Sequence, residues 1–385
     1  MSTTAPGGEA RPEIHRGLNG VYFDRSQVCS IDGRAGTLHY RGYSIHELAE
    51  HSTFEETAYL LLRGELPTRA ELDAFESELL AARAVPEPVL AIPRAMERAH
   101  PMDVLRTAVS ALAAFDPERD DGSPGAVARK GARLTAQTAT LVAAHHAVRQ
   151  GRDPIAPSRS LPHAANFLYM MNGEEPAPET ARLMDVDFVL HAEHSSNASS
   201  FAARVVAGTG ADLHAAIVSG IAALSGPAHG GAAENVMQMA REIGEPANAA
   251  GYVKSKRSRR EPVMGFGHRV YRTEDPRARH LRAGVRRLSA ERGEPTWLAI
   301  LEAVEETMRP YARLGVAPNV DFYAGVIYHL LGLPQDFFVP IFALGRVPGW
   351  TVQVLEQIEN NILIRPLLDY HGPSARPYVP IERRG

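Results

Sequence analysis

Apolar residues recur at helical spacing along most of this chain, and strand-like signals are confined to its beginning. Val28 and Ile31 precede Asp32-Gly33, and Thr37-Leu38-His39-Tyr40 follow Gly36, so residues 27–41 are expected to form a hairpin on an Asp-Gly turn. Beyond it, start signals repeat. Ser44-Ile-His-Glu47, Thr53-Phe-Glu-Glu56 and Thr68-Arg-Ala-Glu71 each fit the capping box, in which a hydroxyl and a carboxylate satisfy two free N–H groups of the first turn. After Thr68, Leu72, Phe75, Leu79 and Leu80 share one face. Near Asp103–Phe115 the buried face is expected to carry Val104, Leu105, Ala108 and Leu112, followed by a charged Pro/Gly-rich loop from Pro117 to Gly125.

Further helices are expected at 127–149, 163–171, 179–192, 198–207 and 212–224, the last preceded by Thr209-Gly-Ala-Asp212. Others are expected at 276–292, 296–314, 319–332, 334–345 and 349–360. The fold class is all-α, multi-helical, with a small N-terminal β hairpin. No internal repeat or low-complexity segment interrupts it.

The chain has 385 residues, more than one hydrophobic core usually supports, which favours two domains. Its 44% hydrophobic and 22% charged residues suit a globular protein, and a net charge of −4 gives no support to a nucleic-acid or membrane partner. No apolar run approaches the roughly 20 residues that span a bilayer. The single cysteine, Cys29, excludes an internal disulfide and a thiolate cluster and fits a reducing cytoplasm. Residues 1–15 lack the pattern of a signal or transit peptide and are expected to be a frayed tail.

Three of the sixteen histidines stand in unusual surroundings. His229 lies within Gly-Pro-Ala-His-Gly-Gly, His268 closes Gly-Phe-Gly-His, and His194 ends His191-Ala-Glu-His194. Each is either a turn histidine bonded to backbone or a group that acts on a ligand. The pair His191-x-x-His194 lacks the further ligands of a zinc site, so no metal is expected. Asp321, just after Pro318-Asn-Val, falls in the first turn of a helix, where it either complements the helix dipole or serves as a base. Arg272, Arg277, Arg346 and Arg365 flank these segments, and a guanidinium fork matches a carboxylate with two hydrogen bonds. Arg365, in Leu363-Ile-Arg-Pro, has an apolar setting where a lone charge is costly. Lys254-Ser-Lys-Arg-Ser-Arg-Arg260 carries five basic residues, either a solvated helix end or an aid to an anionic ligand.

Together these segments resemble the citrate synthase family. The landmarks are His191-Ala-Glu-His194 with Asn197-Ala-Ser, Gly226-Pro-Ala-His-Gly-Gly231, Gly265-Phe-Gly-His-Arg-Val-Tyr-Arg272, Asp275-Pro-Arg277, Pro318-Asn-Val-Asp-Phe-Tyr323, Gly345-Arg346 with Gly349-Trp350, and Leu363-Ile-Arg-Pro366. Their order covers the chain from about residue 17 onward. The resemblance implies a large domain of residues 1–229 and 333–385 and a small, CoA-binding domain of 230–332. It implies an acyltransferase that condenses acetyl-CoA with oxaloacetate and hydrolyses the thioester, as in the tricarboxylic acid cycle; propionyl-CoA, as in 2-methylcitrate synthesis, is the close alternative, and a catalytically idle paralogue the remoter one.

By the same resemblance Asp321, His229 and His268 are the base, the enolate stabiliser and the group polarising the keto oxygen. His194, Arg277, Arg346 and Arg365 hold oxaloacetate, with Arg365 supplied across a homodimer. Glu261, Pro262, Val263, Met264, Gly265 and Arg272 face CoA. No cofactor is implied, since the acyl-CoA is a substrate. Ser195-Ser196, Gly345 and Val352-Gln353 depart from the family's usual residues.

Overall fold

A computed structural model describes residues 13–18 and 20–384. The expected frayed tail therefore lies mostly outside the described residues. Contacts divide the chain into two compact units, one of Gln27–Ile362 and one of the two chain ends, up to Ser26 and from Leu363. Among its described residues the terminal unit carries only short 3-10 turns, at Arg16–Leu18 and Ile381–Arg383.

In the larger unit the hairpin gains a third strand. β1 (Cys29–Asp32) pairs antiparallel with β2 (Thr37–Tyr40), and β2 with β3 (Tyr43–Ser44). The Asp32 carboxylate accepts the N–H groups of Arg34 and Ala35 at 2.8 and 2.9 Å and so shapes the β1–β2 turn. The helices that follow are α1 (Ile45–His51), α2 (Phe54–Arg63), α3 (Arg69–Ala82), α4 (Glu87–Ala95) and α5 (Pro101–Leu112). Next come α6 (Pro124–Arg149), α7 (His163–Asn172), α8 (Pro178–His191), α9 (Ala198–Gly208) and α10 (Leu213–Leu224). The remainder are α11 (Ala232–Ile243), α12 (Ala249–Ser258), α13 (Ala278–Arg292), α14 (Pro295–Met308), α15 (Asp321–Leu330) and α16 (Phe338–Glu359).

Most expected helices stand within a few residues of their places, while α4, α11 and α12 add to them. Of the three capping boxes, only Thr68 with Glu71 forms the reciprocal pair. Ser44 accepts instead from His46 N, and Thr53 accepts from Glu56 N without a returned bond. Asp212, rather than Thr209, caps α10 by accepting from Ala215 N at 2.9 Å. Other helix starts are satisfied from a distance. The buried Glu55 carboxylate on α2 accepts the first N–H of α7 at His163 (2.6 Å), and Asp185 on α8 accepts that of α2 at Phe54 (2.9 Å). These tertiary caps join α2, α7 and α8.

The largest correction concerns α16. Pro348 and Gly349 predict a break, yet the helix runs unbroken. It packs on α2, α6, α8, α9 and α10, and that burial offsets the lost hydrogen bond. Its glycines permit the contact: a Cβ on Gly349 would lie 2.0 Å from Ala192 O, and one on Gly345 3.2 Å from Phe188 O. The stretch Gln335–Glu359 is also long and apolar enough to cross a membrane by length and composition, contrary to the expectation that no run nears that limit, but 89% of its apolar window is buried within the fold. Meanwhile α11 packs on α15, α13 on α15 and α12 on α14, and α13 also reaches α8.

Phe188 is fully buried on α8, with Phe54, Phe167 and His163 rings within 5.9 Å of its own. Phe188→Ala is expected to lower unfolding free energy by about 3–5 kcal/mol, read from the denaturant midpoint at constant slope.

Candidate active site

His194 and Ser195 occupy the turn between α8 and α9. Ser195 holds a left-handed φ of 52°, a conformation unfavourable for a residue with a side chain. Asn197 then caps α9, its side chain accepting from Ser199 N and Ser200 N at 3.1 Å each. His194 is buried and its Nε2 meets the Tyr271 hydroxyl at 3.1 Å. Its ring stands 5.1 Å from that of His268, and His268 stands 4.7 Å from Tyr271. Burial, with the charges of Arg277 and Arg346, keeps His194 well below the ordinary histidine range and hence neutral.

His268 is fixed by main chain. Its Nδ1 accepts the N–H groups of Val270 (3.0 Å) and Tyr271 (3.2 Å), which leaves the proton of the neutral ring on Nε2. Burial, with Arg277, lowers its pKa to about 4. The β1–β2 turn clamps this loop from outside: Arg272 N donates to Gly33 O at 2.7 Å, and a Cβ on Gly33 would lie 2.2 Å from Val270 O.

His229 sits in the tight turn between α10 and α11, where a Cβ on Gly230 would lie 2.2 Å from Leu224 O. Ser199 N donates to His229 Nε2 (3.3 Å) and the Ser199 hydroxyl lies 2.8 Å from the same atom. The Ser199 N–H is shared between Asn197 Oδ1 and His229 Nε2, and the branch that reaches Nε2 needs a lone pair there, which places the ring proton on Nδ1. Trp350 Nε1 donates to Ser199 Oγ at 3.0 Å and so fixes that hydroxyl from α16. Burial, with Arg346, lowers the His229 pKa to about 4.

Asp321 opens α15. The segment before it is tied to the His268 loop by an antiparallel bridge, Phe266 to Pro318. Gly267 N donates to Ala317 O (2.8 Å), Asn319 N to Gly265 O (2.9 Å) and Asn319 Nδ2 to Gly267 O (3.0 Å). Asn319 Oδ1 in turn accepts from Asp321 N at 3.1 Å. Left-handed φ angles of 77° and 84° at Gly265 and Gly267 make the loop possible. Burial raises the Asp321 pKa against the opposing charges of His191 and Arg277, which makes it a stronger base than a solvated carboxylate.

The guanidinium groups differ. Arg277, buried, makes a forked pair with Asp275: Nε to Oδ1 at 2.9 Å and Nη2 to Oδ2 at 2.7 Å. Arg346, also buried, donates Nε to His191 O and lies over the Phe342 ring at 4.7 Å. No carboxylate is in ion-pair contact with it among the described residues, and burial pulls its pKa down to about 10. Arg365 lies in the terminal unit, exposed and outside helix or strand.

Of the stretch expected to face CoA, Val263 and Gly265 are buried, Met264 is half-buried and Pro262 is exposed. Glu261 is held by Lys256 at 3.1 Å and Arg259 at 2.9 Å, so part of the basic run is spent on neighbours. Arg257 lies over Tyr311, and Arg272 is exposed, its Nη1 donating to His268 O at 3.4 Å. Sequence reasoning gave no role to Ser199, Tyr271, Asp275 or Trp350, which orient the residues it named. Asp275, two places before Arg277, carried a local signal; the others act across distances the sequence does not display. Of the departures from the family pattern, Gly345 meets α8 closely and Gln353 joins a buried network: Arg204 Nε donates to its Oε1 and its Nε2 to Glu193 Oε1, each at 2.7 Å.

The site therefore offers two neutral histidines with fixed ring protons, a basic carboxylate and buried guanidinium groups, a set suited to removing a carbon-bound proton beside an anionic partner. Comparison with known proteins agrees. The model of the citrate synthase C-terminal domain matches residues 17–367. A citrate synthase of Deinococcus radiodurans is 45% identical over 374 residues, covering 96% of this chain and 99% of that one. A 2-methylcitrate synthase of Mycobacterium tuberculosis is 42% identical, covering 97% and 95%. The citrate synthase of Thermoplasma acidophilum, solved as a ternary complex with carboxymethyl coenzyme A and oxaloacetate, superposes with a TM-score of 0.92 at 30% identity, covering 97% of this chain and all of the other. The chain belongs to the citrate synthase family of acyltransferases.

Proposed function

We propose that this enzyme condenses acetyl-CoA with oxaloacetate and hydrolyses the resulting citryl thioester to citrate and CoA. Asp321 removes a proton from the acyl methyl group while His229 Nδ1–H donates to the thioester oxygen, where charge gathers as the enolate forms. The enolate carbon attacks the keto carbon of oxaloacetate, and His268 Nε2–H delivers its proton to the new alkoxide. Water then cleaves the thioester. The observation that carries this reading is the paired tautomer assignment: main-chain N–H groups occupy Nε2 of His229 and Nδ1 of His268, leaving each histidine one N–H to donate.

In this reading His194, Arg277 and Arg346 hold the keto-diacid, with Arg365 arriving from the partner of a homodimer. Residues 261–265 and Arg272 meet CoA on a small domain of residues 230–332 that closes over the substrates and keeps water out until the carbon–carbon bond exists. The Thermoplasma enzyme's ligands, an acyl-CoA analogue and oxaloacetate, support the substrate pair. Similarity to the Mycobacterium enzyme keeps propionyl-CoA as the second donor, since one methylene changes selectivity by only about 1–3 kcal/mol.

CoA release from either acyl-CoA is expected to require oxaloacetate, with kcat/KM higher for acetyl-CoA, and Asp321→Ala is expected to lower kcat by about 100- to 10,000-fold. No release from either donor sinks the condensation; a preference for propionyl-CoA makes the enzyme a 2-methylcitrate synthase. Nitrogen NMR of labelled histidine is expected to show His268 neutral at pH 6, with its proton on Nε2, and titrating near pH 4.

A further inference from the structure

Glu193, beside His194, has no part in the chemistry above, yet it is fully buried. One oxygen, Oε1, accepts from Gln353 Nε2 at 2.7 Å, and Gln353 is itself held by Arg204 Nε. The other, Oε2, has no hydrogen-bond partner. A Cβ on Gly349 would lie 2.7 Å from Oε2, so this oxygen rests against the α16 backbone about one turn beyond Arg346. Arg346, Gly349 and Gln353 thus share the helix face that Glu193 meets. Other groups complete its surroundings: the Ser195 main chain, Arg204 from α9, itself paired with Glu356 of α16, the Cys29 thiol from β1 and the Tyr40 hydroxyl from β2, which accepts from Glu193 N at 3.3 Å.

The charges around this carboxylate are unbalanced in a particular way. Arg277 already has Asp275 in contact, whereas the opposite charge felt most strongly by Arg346 is Glu193, out of ion-pair contact. A keto-diacid arriving at Arg346 brings two further negative charges into a space from which water is excluded. Two anions competing for one guanidinium cannot both stay charged at low cost.

We propose that Glu193 takes up a proton from solvent when the keto-diacid binds, so that Arg346 exchanges its resident counter-charge for the substrate carboxylate. A buffer acid gives up the proton and an O–H bond forms at Oε2; nothing else changes hands. Glu193 is a positioning residue here, acting on substrate through Arg346, and the inference rests on the assignment of Arg346 to the keto-diacid. Burial, against the pull of Arg346, has already pushed the Glu193 pKa to about 7, so the carboxylate stands near half-protonation before substrate arrives. The sign follows. Substrate raises that pKa further, protons are taken up on binding, and affinity weakens as pH climbs above about 7.

The test is titration calorimetry of the whole enzyme with oxaloacetate alone, in buffers of different ionisation enthalpy, from about pH 6.5 to about pH 8.5. The wild type is expected to take up a few tenths of a proton per site near neutrality, with its Kd rising toward tenfold per pH unit above that. Glu193→Gln, matched in shape and permanently neutral, is expected to lose most of the uptake and to bind with a Kd that is flat across the range. Gln353→Leu removes the N–H donor to the ionised carboxylate and is expected to move the uptake maximum to higher pH. Zero uptake by the wild type, or undiminished uptake in Glu193→Gln, overturns the proposal while leaving the condensation intact. Absence of oxaloacetate binding by the folded wild type strikes instead at the site reading beneath it.

Discussion

Burying positive charge is the constraint to which the rest of this molecule answers. Arg277 and Arg346 lie in a water-poor interior, where an uncompensated guanidinium is among the most expensive groups a protein can carry. Asp275 neutralises the first with a forked pair inside the same short turn. The second has to be served from elsewhere, and the architecture around α16 does so: a helix continued through Pro348, glycines that bring it against residues 188–192, a carbonyl of His191 on Arg346 Nε, and the Phe342 face beneath it. The same positive field, added to burial, keeps the site's histidines unprotonated, so each presents one N–H and one lone pair rather than a diffuse cation.

Main chain aims the reactive groups more than side chain does. His268 is held by two N–H groups of its own loop, His229 by the N–H of Ser199, and Asp321 by a strip paired with the His268 loop. Bonds of this kind survive most side-chain substitutions. They also explain the glycines, because a loop that supplies hydrogen bonds in several directions needs the left-handed conformations found at Gly265 and Gly267.

This division sets what the sequence could disclose. Helical periodicity located most helices of the larger unit, though not α4, α11 or α12, since apolar spacing and burial express the same geometry. Leu72, Phe75 and Leu79 all face inward, while Leu80, expected beside them, is half-buried. Rules for local punctuation fared less well. Pro348 and Gly349 look like a break because a break is cheaper for an isolated helix, but burial on its many neighbours outweighs one missing hydrogen bond. The helix starts at Phe54 and His163 are satisfied by Asp185 and Glu55, partners more than a hundred residues away that no local pattern can register. The glycine-flanked histidines were visible as unusual, yet their tautomers depend on Ser199, Val270 and Tyr271, which spacing does not single out.

The bridge between residues 266 and 318 has a consequence for how such a site can diversify. Because Asp321 and His268 hang from one small main-chain ladder, their relative placement is inherited as a unit. Side chains around the ladder are free to drift without disturbing that placement. A lineage carrying this ladder can therefore vary the residues around Asp321 and His268 by ordinary point substitution while the pair keeps its geometry.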